Sequence, residues 1–106
     1  MEPQSLEAKI QAAGLTAPRI DPDDIDTMME RVVYYTVSQP GGTTSTFVHA
    51  FLDDKFFLAS GHSACVSASN FNAEIGEEIA MRNAKAAAKS KLWELEGYRL
   101  YASLRA

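Results

Sequence analysis

The sequence predicts an α+β domain, a three-stranded antiparallel meander packed against one long C-terminal helix and two short N-terminal helices. Three observations predict it. Residues 32–59 are rich in β-branched and aromatic side chains and are divided by two turn signals, Gln39-Pro-Gly-Gly42 and Asp53-Asp54-Lys55, as consecutive hairpins require. The residues after Asn70 repeat apolar side chains at helical spacing, with acids early and bases late, which opposes the helix dipole favourably. The 106 residues are 46% hydrophobic and 23% charged, enough for one modest core and too few for two, so residues 1–106 form a single domain.

Ser5 caps a short helix with Leu6 and Ile10 on one face, and Gly14 is its left-handed stop. Thr16 to Ile20 is a connector, since Pro18 removes a donor and restricts its predecessor. Asp21 caps the second helix, Pro22 takes its first position, and Asp23 and Asp24 place negative charge at its positive end. Ile25, Met28, Met29 and Val32 recur at helical spacing as core contacts. Val32 to Val37 is the first strand and Thr43 to Leu52 the second, with Phe47, His49 and Phe51 on one face and Thr46, Val48, Ala50 and Leu52 on the other. Phe56 to Ala59 is the third strand. The polar cluster Ser67 to Asn70 then offers caps for the long helix, whose apolar stripe runs through Phe71, Ile75, Ile79, Ala86 and Trp93, widened by Leu92 and Leu95, in a segment that reaches Glu96. Gly97 ends or kinks that helix, and Tyr98 to Leu104 is a short helix or a docked extension.

The net charge is −4 and is concentrated in residues 1–32, which hold seven acids against three bases; residues 71–106 hold six bases against five acids. No segment builds the basic stripe that a phosphate backbone requires, so duplex nucleic acid is excluded as a partner. No apolar run approaches the roughly 20 residues that span a bilayer, and the first residues lack the basic start and apolar block of a secretory leader. Neither a membrane partner nor export is expected. The lone Cys65 fits a reducing compartment.

No catalytic or metal signature survives inspection, and no cofactor is expected. Asp21, Asp23, Asp24 and Asp26 lack the glycine and later glutamate of a calcium loop. His62 and Cys65, with His49, are one ligand short of a structural zinc site, and a Cys-His pair three apart in extended chain points to opposite faces. Cys65 reads as a small packing residue. Gly61-His-Ser-Ala-Cys65 lacks the last glycine of a hydrolase elbow, and a small meander is not the parallel sheet which that elbow tops. An enzyme is therefore not expected.

Four blocks carry a family resemblance: Gly61-x-Ser63-Ala64-Cys65-Val66, Asn70-Phe71-Asn72-Ala73-Glu74-Ile75-Gly76, Ala80 with Asn83-Ala84, and Leu92-Trp93-x-Leu95-Glu96-Gly97-Tyr98-x-Leu100. In order and spacing they resemble the gene-forty-nine-like family of small tailed-phage proteins. His62 departs from a pattern that often has an acid there. The resemblance implies a phage or prophage origin and an early or accessory role, which with the hydropathy reading above makes the cytoplasm of the bacterial host the expected location. It brings no catalytic residues.

The candidate ligand-binding residues are Ser63, Phe71, Gly76, Arg82 and Asn83. Gly76 inside a helix costs about 1 kcal/mol relative to alanine, so something approaches closely there, a crossing strand or helix or else a ligand. An arginine fork grips phosphate and an asparagine amide reads a base edge; the plainer alternative pairs Arg82 with Glu78 and Asn83 with nearby backbone. Phage accessory proteins of this size include some that sequester immune signals. The expected function is thus a non-enzymatic accessory protein that binds a small ligand, a nucleotide-type signal of host defence, at a subunit interface. The alternative is a protein-interaction module that inhibits or redirects a host protein through the acidic N-terminal region. Two apolar sheet faces with helices enough for one predict a homo-oligomer, with Ala84 to Ala88 as a second place of close approach between copies.

Overall fold

Gly61 decides how the chain packs. In the computed structural model, which describes residues 3–14 and 18–105, a methyl group built at Gly61 would sit 2.2 Å from the carbonyl oxygen of Ala80 and 2.3 Å from the amide of Ala84. Strand and helix backbones therefore meet there with only hydrogen between them. The strand is β3, Phe56–Ala64, and the helix is α3, Ala73–Arg105. With β1, Val32–Ser38, and β2, Ser45–Leu52, β3 forms an antiparallel sheet in the order β1-β2-β3. Two shorter helices precede the sheet, α1 over Pro3–Ala12 and α2 over Pro22–Met29. The expected α+β architecture is present.

The predicted turn residues do what their chemistry allows. Asp21 accepts from the Asp23 amide at 2.9 Å, with Pro22 in the first position of α2. Pro40–Gly42 forms a single 3₁₀ turn between β1 and β2. Between β2 and β3, Asp53 and Asp54 both take positive φ, 56° and 59°, the pattern of the hairpin-type turn that short polar side chains tolerate. Arg31 forks onto Asp53 at 2.8 and 2.6 Å, holding that exposed carboxyl below the usual carboxylate range.

The inner face of the sheet carries Val32, Tyr34, Thr46, Val48, Ala50 and Leu52, and α3 lies across it. A bulge between Ala50 and Phe51 inserts Leu58 as an extra residue and turns it inward, where it is buried. The core is a wedge. At its narrow end Val48 meets Ala80 and Ala84; at its wide end Ile25 of α2 joins Val32, Leu58, Ala88 and Leu92, with Met28, Met29 and Trp93 around them. Lys89 reaches Asp26 at 3.2 Å and ties α2 to α3. Val33, Tyr35 and Val37, at 37%, 48% and 41% exposure, and Phe57 at 52%, lie on the outer face, opposite α3, and among the described residues no helix makes more than slight contact with the sheet besides α3.

Several expectations are corrected. The stripe of α3 that meets the sheet is Gly76, Ala80, Ala84, Ala88 and Leu92; of the expected stripe Leu92 and Trp93 do pack in the core, whereas Ile75, Ile79, Ala86 and Leu95 are exposed. A backbone-to-backbone approach admits only small side chains, so Ile75 and Ile79 fall outside the contact. The same approach buries Ala84 and Ala88 against the chain's own sheet, and they are not a face for another copy. β3 runs on to Ala64 rather than stopping at Ala59, β2 begins at Ser45 rather than Thr43, and α3 starts at Ala73, capped by Asn72. Gly97 neither ends nor kinks α3, and Tyr98 to Leu104 continue it. Ser5 lies within α1, which starts at Pro3, while Gly14 does take the left-handed conformation, φ 72°. Leu15, Thr16 and Ala17, at the start of the connector, lie outside the described residues.

At 33 residues α3 is about 50 Å long and overruns the sheet, which gives the molecule its 57 Å long axis. Three substitutions test this packing. Gly61→Ala is expected to cost about 3 kcal/mol or more, since both atoms it meets are backbone. Gly97→Ala is expected to stabilise by about 1 kcal/mol, because its nearest neighbour is the Ile20 methyl at 3.7 Å. Thr46→Val is expected to stabilise by about 1 kcal/mol, because its fully buried hydroxyl has no partner among the described residues. Thermal and urea unfolding of the three variants reads all of these values, and a neutral Gly61→Ala would contradict the close approach.

Candidate functional site

Where β3 ends and α3 begins, the chain needs eight residues, Cys65 to Asn72, to turn from sheet to helix, and a cleft opens along that path. Its volume is about 220 Å³, and it is lined by Thr44, Ser63, Cys65, Asn70, Phe71 and Asn72 together with Ile75, Gly76 and Ile79. Phe71 follows a short 3₁₀ turn, Ala68–Asn70, and its ring edge comes within 3.7 Å of the position a methyl group on Gly76 would take. Asn72 fixes the start of α3 by accepting from the Ile75 amide at 3.1 Å through its side chain and from the Gly76 amide at 2.9 Å through its backbone. The Thr44 hydroxyl donates to the Cys65 carbonyl and pins the end of β3 to the β2 side. Cys65, half-buried, directs its thiol to the Ser67 carbonyl.

Three of the five candidate residues, Ser63, Phe71 and Gly76, converge on this cleft. Gly76 is buried under the Phe71 ring and against the Thr46 hydroxyl of β2, 3.3 Å from the position of an added methyl, so the close approach expected there comes from the protein's own sheet. Arg82 and Asn83 are outside the lining. They stand three and four residues after Ile79, the two spacings that make helical neighbours, so they continue the Ile79 wall by one turn. The Asn83 amide donates across to the His62 carbonyl of β3 at 3.2 Å. Arg82 is exposed and makes no ion pair with Glu78 among the described residues. The cleft holds neither a carboxylate nor a cation, and its polar groups are hydroxyls, amides and one thiol.

The outer sheet face holds two pairs that sequence reading missed. His49 Nδ1 is 2.6 Å from Ser60 Oγ, and His62 Nε2 is 3.0 Å from Ser45 Oγ. Phe47 stacks between the imidazoles, 6.3 Å from His49 and 4.5 Å from His62. The signal was register: with β3 carried through to Ala64, His49 falls opposite Ser60 and Phe47 opposite His62. Neither imidazole has a carboxylate behind it among the described residues, so these are cross-strand hydrogen bonds without the orienting group of an acyl-transfer site. Among the described residues no three His, Cys, Asp or Glu side chains are grouped to hold a metal ion, and no helix is long and apolar enough to cross a membrane.

A second hollow of about 320 Å³ lies between the connector and the overhang of α3, lined by Arg19, Ile20, Asp24, Glu96, Arg99 and Ser103 among others. No curated protein and no solved structure matches the chain. Residues 20–104 do match a family model, and that span covers the whole sheet, α2, the cleft and α3 almost to its end. On that match the chain belongs to the phage protein (N4 Gp49/phage Sf6 gene 66) family.

Proposed function

We propose that this phage protein is a non-enzymatic accessory protein that binds a small ligand in the cleft between β3 and the first turns of α3, sequestering a nucleotide-type signal of host defence. The observation that supports it is the composition of the cleft: an aromatic ring, two isoleucines and a ring of neutral hydrogen-bonding groups around a buried glycine. Phe71 offers a stacking face for a base, and Asn70, Asn72, Ser63 and Thr44 offer donors and acceptors for its edge. At about 220 Å³ the cleft is smaller than the ~300–1,000 Å³ of enclosing ligand sites, which suits one base or ribose with the rest of the ligand lying outside. Phosphates leaving the cleft over Ile79 meet Arg82 on the next turn, a guanidinium with no ion pair to break among the described residues.

The test is thermal shift of the full chain with cyclic and ADP-ribose-derived nucleotides. A ligand at a hundred times its Kd stabilises by about 2.7 kcal/mol, a rise of roughly 10 °C for a domain this small. Phe71→Ala and Arg82→Glu are expected to abolish the shift while leaving the chain folded. No shift with any nucleotide, together with capture of one host protein that charge reversal at Asp23 and Asp24 releases, would replace this reading with that of a protein-interaction module.

A further inference from the structure

The outer face of the sheet is used by neither the cleft nor the core. We infer that it is the contact surface between two copies of this chain, packed face to face as two layers of a sandwich. Its three registered rows are Val33–Phe51–Phe57, Tyr35–His49–Ser60 and Val37–Phe47–His62. The rings already interlock within one copy, Tyr35 edge-on to Phe51 at 5.8 Å and Phe51 to Phe57 at 5.5 Å, so the surface is ordered before anything docks.

Charge selects the occupant. None of these nine residues is a carboxylate, lysine or arginine, although the chain carries a net charge of −4. A nucleic acid strand or an anionic lipid surface would find no cation to pair with here. A second copy brings an equally uncharged face, and the acids of the two chains remain at the rim, where Tyr35 already engages Asp54. A two-fold axis through the middle row makes the contact closed and self-complementary.

Area agrees with that occupant. Three strands ~4.8 Å apart and seven residues long present a face of about 14 by 23 Å, or roughly 600 Å² of accessible surface with side-chain relief. Two such faces bury about 1,200 Å², the lower end of the range for specific interfaces, and sheets stacked ~10 Å apart interdigitate their side chains as a sandwich core does. The dimer is therefore expected to dissociate in the micromolar range.

Sedimentation velocity of the full chain from 5 to 500 μM provides the test. The expected result is a rise in mass from the 11.6 kDa chain to twice that value as concentration increases. Val37→Lys and Phe57→Glu, at opposite edges of the face, are each expected to weaken association at least tenfold with unchanged far-UV circular dichroism. Tyr98→Glu, on the exposed overhang of α3, is expected to leave it unaltered. A reading that needs no variant is methyl NMR of the wild type across the same dilution series, in which Val33 and Val37 should shift with concentration and Leu104 should not. A mass that stays at one chain throughout, a dimer broken by Tyr98→Glu, or concentration shifts at Leu104 in place of Val33 and Val37 would each overturn the assignment.

Discussion

The contact on which the rest of this structure depends is the one between the backbone of β3 at Gly61 and the backbone of α3 at Ala80 and Ala84. Helices normally rest on sheets through layers of side chains. Here that layer vanishes at one point, and the geometry of the whole domain follows. Small residues must line α3 every fourth position from Gly76 to Ala88, because anything longer would lift the helix away. Farther along, the space between helix and sheet is filled by Leu58, Leu92 and Ile25, so the core thickens toward α2. The bulge that turns Leu58 inward sits at that thick end and supplies volume where the alanines cannot.

A thin core limits how much apolar surface one helix can hide. α3 carries Ile75, Ile79, Leu95, Tyr98, Tyr101 and Leu104 at 36% exposure or more, all off the small-residue stripe. The sheet in turn leaves its outer rows uncovered. With the shape drawn out to 57 Å, the radius of gyration is 17.9 Å against about 13 Å for a compact domain of this length. The domain thus holds together through a narrow internal contact and presents its large apolar side chains outward, where a ligand or another chain can use them.

Much of this was legible in the residues, and the failures share one cause. Turns and caps are local chemistry, so Asp21, Pro22, Gln39 to Gly42 and Asp53 with Asp54 announced themselves. The alternation in β2 was equally plain. Ser60-Gly-His-Ser63 did not read as strand, because its inward position is held by a glycine whose value lies in what it lets another element do. Large apolar side chains drew attention to the wrong face of α3 for the same reason: the true face is defined by small ones. Gly97 read as a helix end, yet a helix anchored by Leu92 and by Ile20 beside Gly97 itself runs straight through it. In the candidate site, Ser63, Phe71 and Gly76 could be singled out from their blocks, whereas Thr44 could not, since only the pairing of β2 with β3 brings it beside Cys65.

The position of the cleft follows from the same contact. At the narrow end the strand and helix are already touching, so the chain between them cannot pass through the interior and must loop around the end of the sheet as Cys65 to Asn72. A loop held there by the Thr44 and Asn72 hydrogen bonds leaves its own side chains, Asn70 and Phe71, facing the rigid wall of Ile75 and Ile79. Variable groups on a fixed support are how small domains gain binding surfaces without disturbing their cores. The cleft lining contains no carboxylate or cation, so its surface offers shape and neutral hydrogen-bonding groups, while the Arg82 guanidinium stands outside it and one turn farther along α3. That separation leaves Arg82 at an exposed position, apart from Gly61, Gly76 and the alanine stripe that are buried where helix and sheet meet.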